Sequence, residues 1–529
     1  MARDWLRRPL PRTWAWIAAL VGGALLPLSL APFNYWPFGC LSAVALAAAL
    51  QGRTAGGCFR YALLFNISLY GVGVSWVYIS ISQFGNSSVA LAALLTGLFV
   101  LGLSLIFAGL FALYGRLFAR NAWHWPLAFP AGWIFVEWMR SWLLTGFPWL
   151  YLGYGHINTP LAGYAPVFGV FGVGFAAVFS SCALVWGAAQ WRAGVRRRWV
   201  WPLLGTALAI WPVGALLRLV QWTELGDTPV TVGMAQGNIP QELKWEPSFR
   251  DETFRIFNGL SDSLWQYDWV IWPEAAIPLM YHRAEAEINQ LDAKAKDTKT
   301  TFITGILYDD WDLRRYYNSL IARGLGSGIA FKTRLVPFGE YVPLEHWLRG
   351  TIDFFNLPTS VIHPGPAYVR GLITPQGVLA PTICYEVVYP DLVAARARGS
   401  GALLTLSNDA WFGHSIGPIQ HFQMARMRAL ESGRYMIRAT NNGLSGIIDE
   451  RGNTLVQGGR FTQETITGEI RIATGNTPFL LWGSWPVILL CIGLMILAAV
   501  LNSARLKSSK LATGAKADSL AARTEVDLA

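Results

Sequence analysis

Charged residues are scarce in this chain of 529 residues. Lys, Arg, Asp and Glu make up 14% of it, whereas a soluble domain carries about 25%. No formal charge occurs between Arg12 and Arg53, or from Tyr61 to Gly115. Each of these stretches is long enough for two membrane-spanning helices. The composition therefore excludes a wholly soluble protein.

Cysteine is also rare, and its placement limits what it does. Five cysteines occur, and Cys384 is the only one in the polar block 221–471, so no disulfide can form within that block. No Cys-x-x-Cys or His-Glu-x-x-His motif is present. A zinc site is therefore not expected, and we predict no metal and no other cofactor.

The charges that are present are unevenly divided. Residues 221–471 hold 23 Lys/Arg and 27 Asp/Glu of the totals of 42 and 32, which leaves 19 and 5 for the rest of the chain. A basic excess beside apolar segments sets the orientation of a membrane protein. Nucleic-acid binding would need a basic stripe in the polar block, and the sequence shows none. We therefore expect no nucleic-acid partner.

Apolar runs of about 20 residues predict eight membrane spans. Lys and Arg follow every second span, and the turns after the first, third and fifth spans carry neither. This alternation predicts that both termini are cytoplasmic and that the polar block faces the periplasm. The alternative is a cleaved signal peptide followed by fewer spans, but no small-residue cleavage site precedes the second span. The predicted spans are Trp14–Ala31, Asn34–Gly52, Tyr61–Ser80, Ser88–Gly115, Ala122–Leu144, Leu161–Trp191, Trp199–Val220 and Pro478–Leu501.

The predicted domains follow from these spans. Residues 1–220 form a membrane domain with spans one to seven, 221–471 a catalytic domain and 472–502 the last span. The polar tail 503–529 is predicted to be disordered. Within span five, Glu137 and Arg140 lie three residues apart and could pair on one helix face. Such a pair is either functional or structural, and the sequence leaves both open.

The polar block alternates short β-type runs with helical runs, which predicts an α/β domain of about 250 residues. The predicted strands are Val230–Ala235, Trp269–Trp272, Thr301–Ile306, Leu320–Arg323, Val378–Ile383, Ala402–Leu406, Ser445–Asp449 and Thr465–Ile470. The predicted helices are Ser248–Trp265, Ala284–Ala295, Asp391–Arg398 and Ile419–Ser432.

Three residues of this block together suit covalent acyl chemistry. Cys384 ends a predicted strand, but a thiol needs a base or a positive field nearby to become a nucleophile. Glu274 could take its proton. Lys332 could hold the thiolate and then an oxyanion, helped by the backbone N–H that follows Cys384. Taken singly, each residue more often has a packing or surface role.

The motifs around these residues resemble the nitrilase or carbon–nitrogen hydrolase family. With eight spans and the polar block between the last two, the chain resembles the apolipoprotein N-acyltransferase family over all but about its last 25 residues. The motifs are Trp-Pro-Glu274, Leu335-Val-Pro-Phe-Gly-Glu-Tyr-Val-Pro343, Ile-Cys384-Tyr-Glu, Ser407-Asn-Asp-Ala-Trp-Phe-Gly413 and Gly417-Pro-Ile-Gln-His-Phe-Gln-Met-Ala-Arg426.

The resemblance implies an αββα sandwich in which Glu274 is the general base, Lys332 the electrostatic stabiliser and Cys384 the nucleophile. It also implies four supporting residues. Glu340 could orient Lys332 or share proton transfer, and Glu386 could pair with Lys332; a structural salt bridge is the alternative for both. Tyr385 supports the site, and Trp411 either borders a lipid entrance or packs in the interior.

The activity implied is transfer of a fatty acyl chain from a phospholipid, through a cysteine thioester, to the α-amino group of the N-terminal diacylglyceryl-cysteine of a lipoprotein. The expected partners are the phospholipid donor, the lipoprotein acceptor and membrane lipids. We expect a monomer in the bacterial inner membrane. Phe354, Phe355 and Leu357 could dip into the bilayer as an arm, or pack in the core instead.

Two other functions stay open from the sequence. The first is a membrane-anchored amidohydrolase, in which water resolves the thioester of Cys384. The second is a transporter with an inert extracellular module, although no clear repeat is visible and Glu137 and Arg140 are the only candidate buried charges.

Overall fold

The computed structural model describes residues 9–85, 87–121, 123–192, 200–342, 361–367 and 371–504. The predicted membrane arm around Phe354, Phe355 and Leu357 lies outside these residues. So does the predicted disordered tail from residue 505 onward.

Apolar helices form the first part of the chain and its described end. Two of them begin at side-chain caps, where Thr54 accepts a hydrogen bond from Gly57 N–H and Ser88 accepts one from Leu91 N–H. Such caps satisfy N–H groups that have no partner inside the helix. The helices are α1 (Arg12–Leu28), α2 (Trp36–Leu50), α3 (Ala55–Gly73), α4 (Trp76–Phe84), α5 (Val89–Leu117), α6 (Phe129–Met139), α7 (Ala165–Arg192) and α8 (Val200–Leu217).

Several helices of the described chain, including one near its described end, are long and apolar enough to cross a bilayer. Within the described ranges there are four, Val89–Leu117, Pro160–Arg192, Val200–Leu217 and Trp485–Ala504. A fifth is possible if α3 and α4, which are bent by 55° at a short break, form one broken span. Helices α1 and α2 are apolar but shorter. The count of eight spans therefore stays a prediction.

The predicted fifth span, Ala122–Leu144, differs most from the structure. It begins as a π-helical turn, His124–Ala128, and continues as α6, which ends at Met139. A turn follows, closed by the Phe147 N–H that donates to the Arg140 oxygen at 2.7 Å, and Gly146 within it has a φ of +88°, which favours glycine. The apolar run is thus divided between a short helix and a turn, because hydropathy alone does not locate a backbone reversal.

The described residues of the polar block form two six-stranded sheets. In the first, β1, β2 and β3 run parallel at the centre; in the second, β7, β8 and β9 do the same. The strand orders are β12-β1-β2-β3-β4-β5 and β11-β10-β9-β8-β7-β6. The strands are β1 (Glu224–Gln236), β2 (Trp269–Ile271), β3 (Thr301–Asp310), β4 (Arg315–Gly324), β5 (Gly328–Phe331), β6 (Leu372–Thr374), β7 (Gly377–Ile383), β8 (Ala402–Ser407), β9 (Met436–Thr440), β10 (Gly446–Ile448), β11 (Thr454–Gln457) and β12 (Glu464–Thr474).

The two sheets pack face to face with helices on both outer sides. Val232 and Ile303 of the first sheet share a buried core with Leu404 and Ile437 of the second. The outer face of the first sheet is covered by α9 (Arg250–Ser261) and α10 (Glu285–Asp297), and that of the second by α11 (Pro390–Ala397) and α12 (Gly417–Ser432). The layers are those of an αββα sandwich.

The eight predicted strands and four predicted helices of this block each overlap an observed element. Four further strands, β5, β6, β9 and β11, carry no clear signal in the sequence. Strands β5, β6 and β11 are only three or four residues long. Strand β9 is fully buried yet has a charged residue, Arg438, at its centre, which hides it from a search for apolar runs.

Helix α12 joins the sandwich to the apolar helices. Met424 and Met427 on α12 share a buried cluster with Phe171 on α7. A carboxylate oxygen of Glu431 accepts a hydrogen bond from Val170 N–H at 2.7 Å. After β12 the chain continues into α13 (Pro478–Trp482) and the apolar α14 (Trp485–Ala504). The second sheet is therefore held against the apolar helices, and the first sheet lies farther away.

Candidate active site

Cys384 lies at a strained turn at the end of β7. Its φ is +50°, in the left-handed region that residues with a side chain adopt at a cost of ~1–3 kcal/mol. The chain leaves the strand here and enters a short 3-10 turn, Cys384–Val388. Strained positions of this kind occur at functional sites because they aim a side chain away from the sheet.

Glu274 and Lys332 meet at the same end of the first sheet. Glu274 follows β2 by three residues, and Lys332 follows β5 directly. The ammonium nitrogen of Lys332 is 3.5 Å from Glu274 Oε1 and 2.8 Å from Glu340 Oε1. Asn318 donates to both carboxylates, at 2.7 Å and 3.1 Å. These four side chains form what we call the acid–ammonium cluster: Glu274, Asn318, Lys332 and Glu340.

The acid–ammonium cluster interacts with the thiol. Burial and the negative charge of Glu274 raise the pKa of Cys384 to about 12, against the opposing effect of Lys332. The thiol is therefore neutral at pH 7, and its proton must leave as the sulfur attacks. Burial alone would lower the pKa of Lys332, but Glu340 and Glu274 outweigh it and hold that pKa above its ordinary value. Lys332 thus stays a cation throughout.

Lys244 is a second cation at the site, and no motif in the sequence singles it out. It is only 5% exposed, and its ammonium donates to the backbone oxygen of Glu274 at 3.0 Å. Burial lowers the pKa of Lys244 to about 8, while Glu274 and Cys384 oppose that shift. A lone lysine after β1 is most often a surface residue, so only the fold reveals its position.

Of the two predicted supporting carboxylates, Glu340 contacts Lys332 and Glu386 does not. Both oxygens of Glu386 are taken by the guanidinium of Arg396, at 2.6 and 2.7 Å, and by the N–H groups of Thr333 and Ile383. The predicted pair between Glu386 and Lys332 is therefore wrong. Glu386 instead ties the end of β7 to α11, because Arg396 is the cation that faces it.

Tyr385 and Trp411 both face the apolar helices. The hydroxyl of Tyr385 donates to the backbone oxygen of Gly146 at 3.4 Å. Trp411 packs edge-on against Phe84 of α4, and its backbone oxygen accepts from Ser80 at 2.7 Å. The loops that carry the site are therefore in contact with the first part of the chain. A lipid entrance at Trp411 stays a prediction.

Two residues of the sequence motifs, Asp409 and His421, had no predicted role and lie behind Cys384. His421 is 3.1 Å from the backbone oxygen of Cys384 and 3.2 Å from Asp409. Across the described part of the chain, no group of three or more His, Cys, Asp or Glu side chains is arranged to hold a metal ion.

Comparison with known proteins settles the family. Two family models match: "Apolipoprotein N-acyltransferase N-terminal domain" over residues 22–183 and "Carbon-nitrogen hydrolase" over residues 259–477. An apolipoprotein N-acyltransferase of Pseudomonas paraeruginosa is 42% identical, and the match covers 94% of this chain and 97% of the relative. The chain belongs to the apolipoprotein N-acyltransferase family. The resemblance inferred from the motifs is thereby confirmed.

Other relatives in the family extend beyond one genus. An apolipoprotein N-acyltransferase of Methylococcus capsulatus is 39% identical, over 91% of this chain and 95% of the relative. Among solved structures, the C. elegans NitFhit protein is similar over 46% of this chain and 61% of that chain, at 15% identity and a TM-score of 0.37. That likeness is too weak to carry an argument.

Proposed function

We propose that this protein transfers a fatty acyl chain from a phospholipid to the α-amino group of the N-terminal diacylglyceryl-cysteine of a lipoprotein. The observation that carries the proposal is the acid–ammonium cluster beside a strained cysteine, in a chain that is 42% identical to an apolipoprotein N-acyltransferase over 94% of its length. The apolar helices that contact the site loops are consistent with a lipid substrate.

In the first half-reaction, Glu274 takes the proton of Cys384 as the sulfur attacks the carbonyl carbon of the acyl ester. The tetrahedral oxyanion is stabilised by Lys332 and by the N–H of Tyr385. The bond from carbon to the glycerol oxygen then breaks. Glu274 returns its proton to that oxygen, which leaves as part of a lysophospholipid. A thioester on Cys384 remains.

In the second half-reaction, the neutral α-amino group attacks the thioester carbonyl. Glu274 accepts a proton from the amine as the new C–N bond forms. The C–S bond breaks, and the sulfur of Cys384 recovers a proton from Glu274. Lys332 and the Tyr385 N–H stabilise the same oxyanion in both halves, so a single site serves two acyl transfers. Lys332 is suited to this because its neighbours keep it charged.

The proposal includes a membrane arrangement. Eight spans hold the protein in a bacterial inner membrane, with both termini in the cytoplasm and the catalytic domain, residues 221–471, in the periplasm. The domain 1–220 carries seven spans and 472–502 the eighth, and the protein acts as a monomer. The contact of α12 with α7, through Glu431 and Val170, supports a catalytic domain seated on the membrane domain.

The test separates transfer from hydrolysis. The purified protein is reconstituted in vesicles that contain a phospholipid with a labelled acyl chain, first without and then with a synthetic diacylglyceryl lipopeptide that has a free amino terminus. We expect a protein-bound label that persists until the lipopeptide is added and then moves to its amine. Rapid release of labelled free fatty acid would contradict the proposal and favour an amidohydrolase-like reaction with water.

A further inference from the structure

His421 contacts the nucleophile's backbone from behind. It lies on α12, and its Nε2 is 3.1 Å from the backbone oxygen of Cys384. A carbonyl oxygen can only accept a hydrogen bond, so Nε2 must carry a proton and donate it. In a neutral imidazole the other nitrogen, Nδ1, is then an acceptor. The partners of Nδ1 decide whether this tautomer is stable.

Arg438 provides the donor that Nδ1 needs. One nitrogen of its guanidinium is 3.0 Å from His421 Nδ1 and 2.8 Å from Asp409 Oδ2. Ser407 donates to Asp409 Oδ1 at 2.7 Å. Ser407, Asp409, His421 and Arg438 are all buried. Nδ1 also lies 3.2 Å from Asp409 Oδ1, an oxygen that already accepts from Ser407 and Arg438. The polar contacts of His421 therefore favour the form in which Nε2 carries the proton and donates it to Cys384.

The charges of the network keep the imidazole neutral. Burial and the nearby Arg438 guanidinium lower the pKa of His421, against the opposing effect of Asp409. Burial alone would raise the pKa of Asp409, but Arg438 and His421 hold it below its usual range. The rings of Trp149 and Phe412 also face His421, at 5.9 and 6.0 Å between centroids. The network thus contains one cation, one anion and one neutral imidazole.

The contact to the Cys384 carbonyl also fixes a neighbouring donor. The carbonyl of Cys384 and the N–H of Tyr385 belong to one planar peptide unit, so fixing one fixes the other. Cys384 has a strained φ of +50°, and a strained residue keeps its conformation only when its surroundings hold it. His421 supplies that restraint on the C-terminal side of Cys384.

We propose that His421 is a positioning residue, which orients the Cys384–Tyr385 peptide so that the Tyr385 N–H points at the oxyanion. The inference rests on the proposed function, because the oxyanion arises from attack by Cys384 on an acyl ester. His421 takes no part in proton transfer, since both of its nitrogens are engaged by Cys384 and Arg438. Its effect therefore appears in the rate of the chemical step and leaves lipid binding unchanged.

Two substitutions separate this role from a purely structural one. His421→Gln places an amide nitrogen near the position of Nε2, so it keeps a donor toward the Cys384 oxygen. His421→Asn places polar atoms near Nδ1, so it keeps contact with Asp409 and Arg438 but loses the donor to Cys384. The measurement is the single-turnover rate of thioester formation with a labelled phospholipid in vesicles, together with the lipid concentration that gives half the maximal rate.

We expect His421→Asn to lower the maximal rate about 100-fold, as a small misplacement of a reacting group does. We expect the maximal rate of His421→Gln to stay within about tenfold of the wild-type rate. The lipid concentration that gives half the maximal rate should be unchanged in both variants. If His421→Asn is as fast as or faster than His421→Gln, the network contacts matter more than the carbonyl contact, and the inference is overturned. A wild-type protein that forms no thioester would instead refute the proposed function itself.

A third variant keeps the inference testable if both replacements of His421 fail to fold. Arg438→Lys keeps a positive charge but has a shorter side chain, so its ammonium does not reach the position of the single guanidinium nitrogen that serves both Asp409 and His421 Nδ1. We expect slower thioester formation at unchanged half-saturation, because the donating tautomer is no longer selected. A wild-type rate in this variant would contradict the role assigned to His421.

Discussion

Buried carboxylates pair with cations in two regions of this molecule, and the two regions use them differently. At the end of α6, Glu137 and Arg140 approach to 3.5 Å and are 3% and 4% exposed. In the sandwich, Lys332 lies between Glu274 and Glu340 and is 1% exposed. Both are paired and buried, so burial and pairing alone do not distinguish a structural pair from a catalytic one.

The remaining contacts make the distinction. Glu137 accepts a hydrogen bond from Leu152 N–H at 3.0 Å, and Arg140 donates to the Tyr70 hydroxyl and the Leu150 oxygen, both at 3.2 Å. These bonds tie the end of α6 to α3, and also to the segment that follows α6 in the chain. The sequence left open whether this pair is functional or structural, and its contacts favour a structural clamp.

The acid–ammonium cluster is arranged around a reactive group instead. Its carboxylates contact a side-chain amide and an ammonium, and the charges of Glu274 and Lys332 act directly on the thiol of Cys384. A buried ion pair therefore becomes a catalytic candidate when its charges act on a neighbouring nucleophile.

The largest effect should come from the catalytic cluster. Glu274→Gln keeps an oxygen that can accept from Asn318, so the fold should persist while the base is lost. We expect thioester formation to slow by a factor of about 10²–10⁴, the usual contribution of a general base. The rate is measured in single turnover with labelled phospholipid, and Glu252→Gln, at a partly exposed position on α9, is the matched control. A variant that keeps a tenth of the wild-type rate would remove Glu274 from its assigned role.

Breaking the Glu137–Arg140 pair should lower the stability of the protein rather than its rate of acyl transfer. Arg140→Met leaves Glu137 buried without its cation, and breaking a buried pair in this way costs ~3–5 kcal/mol. We expect a lower unfolding temperature in detergent but a normal rate of acyl transfer for each folded molecule. Arg255→Met, which breaks an exposed pair on α9, is the control and should leave stability unchanged. A folded Arg140→Met protein as slow as Glu274→Gln would reverse the comparison.

The smallest effect should be a pH dependence from Lys244. Its pKa of about 8 means that it is a cation at pH 7 and mostly neutral at pH 9. Because the cation favours the thiolate that forms during attack, thioester formation should slow as the pH rises through 8. Cys384, with a pKa of about 12, does not titrate in this range. The pH–rate profile of the single-turnover reaction measures the effect.

Two variants of Lys244 test whether this residue causes the decrease in rate near pH 8. Lys244→Arg stays charged, so the decrease should move above pH 9. Lys244→Met should be about tenfold slower at pH 7, equivalent to ~1.4 kcal/mol, and should show no decrease near pH 8. A decrease near pH 8 that persists in Lys244→Met would assign it to another group.

Much of the fold could be predicted from the sequence because its signals are local. The central parallel strands β2, β7 and β8 are short apolar runs next to turns, and the helices α9 to α12 follow amphipathic runs. Strand β9 could not be predicted, since Arg438 interrupts its apolar run. The buried guanidinium of Arg438 pairs with Asp409, which lies 29 residues earlier in the chain.

The candidate site divides in the same way. Glu274, Lys332 and Cys384 stand in recognisable motifs, and the structure brings Lys332 within hydrogen-bonding or ion-pairing distance of Glu274 and Glu340. The position of Lys244 and the partner of Glu386 depend on which loops cross at the ends of the sheets. Those contacts are long-range, so neither spacing nor composition could have shown them.

The central claim is that the sulfur of Cys384 carries the acyl chain. The most direct measurement is peptide mass spectrometry of the protein after incubation with phospholipid vesicles of one defined acyl chain. We predict the mass of that chain on the peptide containing Cys384, its loss on treatment with hydroxylamine, and its absence from Cys384→Ser. No acyl mass on this peptide, or normal lipoprotein acylation by Cys384→Ser, would contradict the account.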